Sequence, residues 1–459
     1  MMSLREAAMA LGTVASANAA SRFQQVSTDS RTLLPGSLFV ALKGPNHDGH
    51  DHLAVVAAAG AAGAIVDHRC SVDLPQLVVA DTRRALGVVA AYWRQRLPLQ
   101  LVGVTGSNGK TTVKEMIAAI LRQLGSTLAT EGNLNNDIGV PLTLLKARPF
   151  HQYAVIEMGM SAAGELTWLS SITRPDVAVI TNAGPAHLQQ FRDVNEIARA
   201  KGEILSSLSS KGTAVINGDD PAADFWRSLA EPRKIIDFAL DNPAAAIRGY
   251  WSATRSGGLL KVEGVAGEWQ TELSLLGRAN GINALAAVAV AHLLGATPEQ
   301  CQQGLASLQP VSGRLQLINL SAGGQLINDC YNANPASLGN AIEVLAQMPG
   351  RKTLVLGDMG ELGEQSEDFH REAGAVAAAA GIDRLITIGS QSRLAADAFA
   401  SLRAGGAHHY ADIDQCCAEL PGFDSNDYLL VKGSRSAGLE RLVEFLIERA
   451  NGDLPEVLH

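Results

Sequence analysis

The chain has 459 residues, of which 47% are hydrophobic and 18% are charged. This length predicts roughly two to four domains with a large core, and the composition is ordinary for a soluble globular protein. A formal net charge of -9 argues against a general nucleic-acid-binding protein, which would carry a basic excess.

The cysteines and the hydropathy of the sequence indicate the cellular compartment of the protein. The five cysteines are an odd number without a Cys-x-x-Cys pair, which favours reduced thiols over a disulfide framework or a zinc site. The sequence has no segment long and apolar enough to span a membrane. We therefore expect a cytoplasmic protein without a membrane span.

The first part of the chain predicts a small α/β domain over residues 1–82. Near its N-terminus, Leu4, Ala8 and Leu11 have helical spacing, which we prefer to a signal peptide that ends at Ala17–Ala19. Short apolar runs then predict strands, and an alanine-rich stretch at 53–60 predicts a helix between the first two. The apolar runs are 37–42, 64–66 and 77–79.

A glycine-rich segment, 103–112, lies between an apolar run at 99–104 and a helical pattern that starts at 113. A turn of this kind presents backbone N–H groups at a helix N-terminus, where they bind phosphate. Lys110 can then reach the terminal phosphates, and the Thr111 hydroxyl can ligate Mg²⁺. Val104 stands where the standard pattern has its first glycine, so an ordinary glycine-rich turn is the alternative. Gly-Lys-Thr-Thr in this position favours a nucleoside triphosphate site, although kinases, switches, motors and ligases all use one.

Apolar strands that end in polar residues predict a parallel sheet across the middle of the chain. Runs of this kind at 153–156, 177–180 and 213–216 alternate with helices, which is typical of a sheet covered on both faces. Ligands bind beyond the carboxyl ends of such strands, so Glu157, Asn182 and His187 should share a crevice with Lys110. An antiparallel extension over 247–276 and a helix over 283–294 complete a predicted domain at 83–310.

The last part of the chain predicts a second doubly wound α/β domain over residues 311–459. A helix at 369–380 alternates with predicted strands. These strands are 326–328, 353–356, 384–388 and 428–431. The domain has no Gly-x-Gly-x-x-Gly fingerprint, so we do not expect a nicotinamide cofactor.

Three side chains of the middle domain are candidates for metal chemistry. Mg²⁺ prefers oxygen ligands, so Glu157 fits well and His187 is less usual; a loop histidine with a backbone partner is the alternative for His187. Lys201 lies on an apolar helical stripe with Ile197 and Leu205. It could extend its amine to the surface, keep a neutral amine with a depressed pKa, or form a carbamate with CO₂ that would suit a second Mg²⁺.

Several motifs together resemble the Mur ligases, which are ATP-dependent amide-forming enzymes of peptidoglycan synthesis. The motifs are Thr105–Thr112, Glu157–Gly159, Thr181–His187, Ala200–Ile204 and Asn280–Asn283. Further segments are most similar to the branch that joins D-alanyl-D-alanine to UDP-N-acetylmuramoyl-tripeptide. They are Ala186–His187, Tyr331–Pro335, Leu356–Gly363 and Lys432–Arg435.

The resemblance implies three domains: a UDP-substrate domain at 1–82, a P-loop ATPase at 83–310 and a Rossmann-like domain for the incoming dipeptide at 311–459. It also implies an acyl-phosphate intermediate, release of ADP and phosphate, and two Mg²⁺ ions. We expect the protein to be a monomer. A sister Mur ligase or a folylpolyglutamate synthase remains the alternative. A nucleotide switch is less favoured, because the sequence has no Asn-Lys-x-Asp motif.

Site roles follow from the resemblance residue by residue. The implied catalytic residues are Lys110, Glu157, His187 and Lys201. The implied metal ligands are Thr111, Glu157, His187 and carbamoylated Lys201. The implied ATP-binding residues are Thr105, Gly106, Ser107, Asn108, Gly109, Lys110, Thr111, Thr112, Asn280, Asn283, Arg314 and Asp329. The implied substrate-binding residues are Ser30, Arg31, Lys43 and Asp48 for the UDP end, Asn135 and Asn136 for the muramoyl peptide, and Arg435 for the dipeptide carboxylate.

Overall fold

The structure, a computed structural model, describes residues 1–14, 21–321, 323–420, 422 and 424–452. Three main sheets follow one another along the chain, each with its own helices, as expected for an α/β protein. The segment Ala17–Ala19, considered above as a cleavage site, lies outside the described residues. Among the described residues, no helix is long and apolar enough to cross a membrane.

The first unit is built on a four-stranded parallel sheet of order β3-β4-β7-β8. Its first helix has the predicted position and is capped by Ser3, whose hydroxyl accepts the Glu6 N–H. The elements are β1 Met2–Ser3, α1 Leu4–Leu11, β2 Arg22–Phe23, β3 Val26–Ser27, β4 Leu38–Val40, β5 Lys43–Gly44, β6 His47–Asp48, a 3₁₀ turn Gly49–His52, α2 Leu53–Ala58, β7 Gly63–Val66, β8 Gln76–Val78 and α3 Thr82–Arg94.

The second unit carries a nine-stranded sheet of order β10-β11-β9-β12-β13-β14-β15-β16-β17. It is parallel from β10 to β15, and the last two pairings are antiparallel, which confirms the antiparallel extension predicted for 247–276. The elements are β9 Gln100–Thr105, α4 Lys110–Leu121, β10 Thr127–Ala129, α5 Gly139–Lys146, β11 Tyr153–Glu157, α6 Glu165–Thr173, β12 Val177–Ile180, α7 Val194–Gly202, a 3₁₀ turn Glu203–Ser207, β13 Thr213–Asn217, α8 Ala223–Ala230, β14 Lys234–Ala239, β15 Ile247–Thr254, β16 Gly257–Gly264, β17 Trp269–Leu273, α9 Arg278–Leu293 and α10 Pro298–Ala306.

Both faces of the central strands are buried, which explains their continuous apolar runs. Val102 and Val104 of β9 pack in one core with α4 and α9. Leu101 packs in another core, on the other face, and that core continues through α3 into the first unit, where it includes Leu38 and Ile65. The predicted boundary at 82/83 falls at the start of α3 and remains a prediction.

The third unit has a six-stranded sheet of order β18-β19-β23-β20-β21-β22. Only the pairing of β18 with β19 is antiparallel, so the predicted doubly wound arrangement is confirmed for the other strands. The elements are β18 Gln316–Asn319, β19 Gln325–Asp329, α11 Pro335–Ala346, β20 Arg351–Gly357, a 3₁₀ turn Gly363–Gln365, α12 Ser366–Ala379, β21 Arg384–Ile388, α13 Arg393–Leu402, β22 Ala407–Tyr410, α14 Ile413–Glu419, β23 Asp427–Lys432, a 3₁₀ turn Arg435–Ala437 and α15 Glu440–Asn451.

Two helix predictions are corrected by packing. The helix of Lys201 ends at Gly202, where a Cβ would lie 2.6 Å from Leu229 of α8, and the chain continues as a 3₁₀ turn. Glu203 is the first residue of that turn, and its carboxylate accepts a hydrogen bond from the Gly164 N–H just before α6. The helix predicted at 283–294 starts five residues earlier, after Gly277.

We expect Gly374→Ala to destabilise the third unit by about 1–3 kcal/mol, since inserted atoms strain a packed core. A Cβ at Gly374 of α12 would lie 2.0 Å from the backbone oxygen of Ala395 in α13. Gly339→Ala in α11 is the control, because a Cβ there meets nothing within 4 Å and alanine favours helix. Denaturant unfolding of both variants checks this, and a Gly374→Ala midpoint at or above that of Gly339→Ala would contradict it.

Candidate active site

The glycine-rich loop between β9 and α4 closely approaches neighbouring strand ends and α9. A Cβ on Gly106 would lie 1.8 Å from the Thr181 hydroxyl oxygen, and one on Gly109 would lie 2.4 Å from Asn283 Oδ1. Gly109 also has a φ of 80°, which glycine adopts without steric cost. The loop is therefore a tight cradle whose amides stand at the N-terminus of α4, where a phosphate binds.

Hydrogen bonds from the segment after β12 hold this loop in place. The Asn108 N–H donates to Asn182 Oδ1 at 2.9 Å, and the Asn108 carbonyl accepts from the Thr181 hydroxyl at 2.7 Å. Ser107 and Gly184 exchange two hydrogen bonds, at 3.0 and 3.1 Å. Thr105 lies below the loop and donates to the Met158 carbonyl.

Lys110 extends its amine back over the loop. Its Nζ donates to the carbonyls of Gly106 and Ser107, at 2.7 and 3.2 Å. Burial lowers the pKa of Lys110, and this effect is opposed by Glu157 and reinforced by Arg314. An anion in the cradle would oppose this effect, since an opposite charge nearby favours the charged form of the amine.

Glu157 at the end of β11 is the acceptor at the centre of this site. Its side chain accepts from the Thr111 hydroxyl at 2.8 Å and from Asn135 Nδ2 at 2.7 Å, and the residue is 2% exposed. Hydroxyl and carboxylate oxygens are donors that Mg²⁺ prefers. The residues present therefore fit a magnesium ion beside the phosphate loop.

His187 and Lys201 complete the group of candidate metal ligands. His187 has a φ of 57°, and its Nδ1 lies 2.5 Å from Glu361 Oε2 of the third unit. Burial lowers the pKa of His187, with Lys201 and Lys110 acting in the same direction. Lys201 is 1% exposed, and burial lowers its pKa well below the ordinary value, with Lys110 adding to the effect. Its ammonium therefore loses a proton far more easily than a surface lysine does.

The third unit contributes a second group of charged side chains. Asp329 at the end of β19 accepts from Lys432 Nζ at 2.6 Å and from the Leu315 N–H at 3.0 Å. Burial raises the pKa of Asp329, and Lys432 opposes that rise. The Arg314 guanidinium lies 4.2 Å from the ring centroid of Tyr331, and its buried Nε has no hydrogen-bond partner among the described residues.

These groups surround one cavity of about 870 Å³ between the second and third units. Asn280 and Asn283 of α9 line it and are joined by a hydrogen bond of 3.2 Å. The predicted site residues in its wall are Ser107, Asn108, Gly109, Lys110, Thr111, Thr112, Asn135, Asn136, Glu157, His187, Asn280, Asn283, Arg314 and Asp329. A volume of this size accommodates a nucleotide-sized ligand.

The remaining predicted residues lie outside the cavity wall. Thr105 and Gly106 are at the start of the loop and do not line the cavity, and Lys201 is buried and does not line it either. The N-terminal candidates Ser30, Arg31, Lys43 and Asp48 are in the first unit, where Arg31 pairs with Asp29 and Lys43 with Asp67 and Asp48. Arg435 has a 68% exposed side chain, pairs with Glu440 and lies 5.7 Å from the Tyr331 ring centroid.

Several cavity residues of the third unit received no role from the sequence, among them Asn334, Glu361 and Lys432. Asn334 caps α11 and also donates to Asn108 Oδ1 of the phosphate loop at 2.8 Å. All three lie in motifs that were noticed, in the segments that follow predicted strands. Their position beyond the carboxyl ends of strands is the signal that could have found them.

Comparison with known proteins agrees with this geometry. Residues 104–291 match the family model described as Mur ligase middle domain, and residues 313–435 match the one described as Mur ligase, glutamate ligase domain. The chain therefore belongs to the Mur ligase family and is an ATP-dependent amide-bond-forming ligase.

Individual relatives and solved structures carry more specific names than the family models. A protein of Escherichia coli K12 named UDP-N-acetylmuramoyl-tripeptide--D-alanyl-D-alanine ligase is 44% identical, over 92% of this chain and 93% of that protein. A crystal structure of MurF from Acinetobacter baumannii has a TM-score of 0.89 at 35% identity, over 97% of this chain and 99% of the other. MurF ligase from Thermotoga maritima in complex with ADP has a TM-score of 0.84 at 28% identity, over 95% and 99%.

We expect Gly109→Ala to weaken ADP binding by about tenfold or more. Overpacking a tight site costs about 1–3 kcal/mol, and about 1.4 kcal/mol corresponds to tenfold in affinity. Gly184→Ala is the matched control, because a Cβ there would have its nearest neighbour at 3.7 Å. Calorimetric titration with ADP and Mg²⁺ measures both, and wild-type affinity in Gly109→Ala would contradict the assignment of the cradle.

Proposed function

We propose that this enzyme joins D-alanyl-D-alanine to UDP-N-acetylmuramoyl-tripeptide with cleavage of ATP, giving the pentapeptide precursor of peptidoglycan, ADP and phosphate. The observation that carries the proposal is the meeting of Lys110, Glu157 and Asp329, from two units, around one cavity. The name and near-full-length match of the Escherichia coli relative favour this substrate pair over those of a sister Mur ligase or a folylpolyglutamate synthase.

The residues around the phosphate loop account for the first half of the reaction. The tripeptide carboxylate attacks the γ-phosphate, forming a carboxyl–phosphate bond as the bond to ADP breaks. Charge spreads over the transferring phosphoryl group, and the loop amides with Lys110 would neutralise it. Mg²⁺ held by Thr111 and Glu157, and a second ion held by Glu157, His187 and carbamoylated Lys201, would supply further positive charge at the phosphates and the carboxylate.

The third unit accounts for the second half. The dipeptide amine attacks the acyl carbonyl, phosphate leaves, and the amide bond forms.

The residues that bind the substrates come from all three units. Arg314 and Asp329 bind the nucleotide with Asn280 and Asn283, and Arg435 pairs with the dipeptide carboxylate. Ser30, Arg31, Lys43 and Asp48 hold the UDP end, and Asn135 and Asn136 contact the muramoyl peptide. We further propose that the enzyme acts in the cytoplasm as a monomer during cell-wall growth and division.

A substrate-dependent ADP release assay tests this function. We expect sustained, multiple-turnover release only when UDP-N-acetylmuramoyl-tripeptide, D-alanyl-D-alanine, ATP and Mg²⁺ are all present, because the acyl phosphate forms on the tripeptide and the dipeptide amine consumes it. Removal of Mg²⁺ with a chelator should abolish it. If glutamate or a single amino acid stimulates release and D-alanyl-D-alanine does not, the proposed substrate pair is wrong.

We expect Lys201→Ala to lower the rate by about 10²-fold or more, the scale for loss of one charge-stabilising group. The neutral amine adds to CO₂, forms an N–C bond and releases a proton, so the resulting anion depends on a depressed lysine pKa. Millimolar acetate should partly restore Lys201→Ala by supplying a carboxylate in the same place.

The carbamate itself can be observed with ¹³C-labelled bicarbonate by NMR. Wild-type enzyme should show a carbamate carbon signal that Lys201→Ala lacks. The exposed Lys211→Ala serves as control and should keep both the signal and the activity. An unmodified Lys201 in fully active enzyme would exclude this modification.

A further inference from the structure

A contact between the second and third units involves the side chain of His187. Its Nδ1 lies 2.5 Å from Oε2 of Glu361, which belongs to the loop after β20. The backbones are also close, because the Gln189 N–H donates to the Glu361 carbonyl at 3.4 Å. Both side chains border the cavity, with 25% of the His187 side chain and 57% of the Glu361 side chain exposed.

The backbone at both partners is unusual. His187 has a φ of 57° and Glu361 a φ of 62°, so each occupies the left-handed region that few residues other than glycine adopt. A Cβ on Gly363 would lie 3.1 Å from the Leu188 carbonyl oxygen, so the two loops are packed tightly. Strained positions persist where the surrounding structure requires them, and they are frequent at functional sites.

We propose that Glu361 is a positioning residue for His187. The Glu361 carboxylate accepts a hydrogen bond from Nδ1–H of His187, which leaves the lone pair of Nε2 free to bind a metal ion. The inference rests on the proposed function, in which His187 is a metal ligand. A neutral imidazole carries one proton, and the nitrogen that holds it is set by its hydrogen-bond partner. A carboxylate only accepts, so Glu361 selects the Nδ1-protonated form.

In the part of the chain that the structure describes, Glu361 is the carboxylate that pairs with the His187 ring. Carboxylates that orient metal-binding histidines in this way raise ligand basicity and fix the ring. Because Glu361 comes from the third unit, the metal site in the second unit is complete only when the third unit is docked against it.

The tautomer of His187 is the first readout, measured without metal by ¹⁵N NMR of histidine-labelled protein, with His187→Gln to assign the signal. Wild type should show Nδ1 protonated and Nε2 unprotonated. Glu361→Gln keeps an acceptor oxygen and should preserve that form, whereas Glu361→Ala should shift the population toward protonated Nε2. Glu364→Gln, an exposed glutamate three residues further along the chain, is the control and should match wild type.

Metal affinity is the second readout, measured as Mn²⁺ binding in the presence of ADP by electron paramagnetic resonance. Glu361→Ala should bind Mn²⁺ about tenfold or more weakly, the scale for removal of such an orienting carboxylate. Glu361→Gln should lie between Glu361→Ala and wild type, and Glu364→Gln should be unchanged. A loss of folding alone would not produce this order.

Two results would overturn the inference: an unchanged His187 tautomer in Glu361→Ala, or tighter Mn²⁺ binding in that variant, which would make Glu361 a competitor of the metal. Neither result depends on which substrates the enzyme joins. Failure of the proposed function would instead appear in the wild type, as ADP release that does not require D-alanyl-D-alanine.

Discussion

The close approach of the phosphate loop to its neighbours is the constraint on which the rest of the site depends. Gly106 and Gly109 leave no space for a Cβ against Thr181 and Asn283, so the loop, the end of β12 and helix α9 must pack at fixed separations. The Thr111–Glu157 hydrogen bond then ties the start of α4 to β11. Parallel strands end at the same edge of a sheet, so the sheet brings these polar groups together as it forms.

The second and third units meet at this edge through polar contacts. The Asn108–Asn334 amide pair and the His187–Glu361 pair both join the phosphate-binding region to the third unit. A hydrogen bond such as the one from Asn334 to Asn108 contributes about 0.5–1.5 kcal/mol net, so it is a small part of the free energy of docking. A ligand bound by both units would contribute to the free energy of docking on a similar scale or more. Occupancy of the cavity and the placement of the third unit are therefore linked in free energy.

Three buried lysines differ in the hydrogen-bond partners that the fold gives to their amines. Lys114 donates to the Thr130 carbonyl at 2.8 Å, and Lys432 donates to Asp329 at 2.6 Å. Lys201 is equally buried, yet its amine has no hydrogen-bond partner in the part of the chain that the structure describes. Burial disfavours the charged form of the Lys201 amine, and loss of its proton relieves that cost. This contrast supports the neutral, CO₂-reactive amine proposed for Lys201.

The sequence by itself determined the local elements and the phosphate loop. Apolar runs predicted β9, β11 and β12, because burial on both faces of a sheet leaves a direct pattern in the chain. Alternating and glycine-rich segments predicted the antiparallel extension. The same reasoning predicted that Glu157, Asn182 and His187 would face Lys110. Glu157 and His187 lie in the cavity wall with Lys110, whereas Asn182 does not line the cavity and instead accepts a hydrogen bond from the phosphate loop. It missed the 3₁₀ turn after Gly202 and the early start of α9, since both depend on packing against distant residues.

Only the tertiary structure decided what the third unit contributes. Asn108 and Asn334 are 226 residues apart in the chain, and no periodicity connects such positions. The motif that contains Glu361 was visible in the sequence, but its contact with His187 depends on how two separate sheets dock. Local patterns record which face of an element is buried; they do not record which surfaces of two folded units meet. Docking is decided by the shape and polarity of the assembled surfaces, which exist only after each unit has folded.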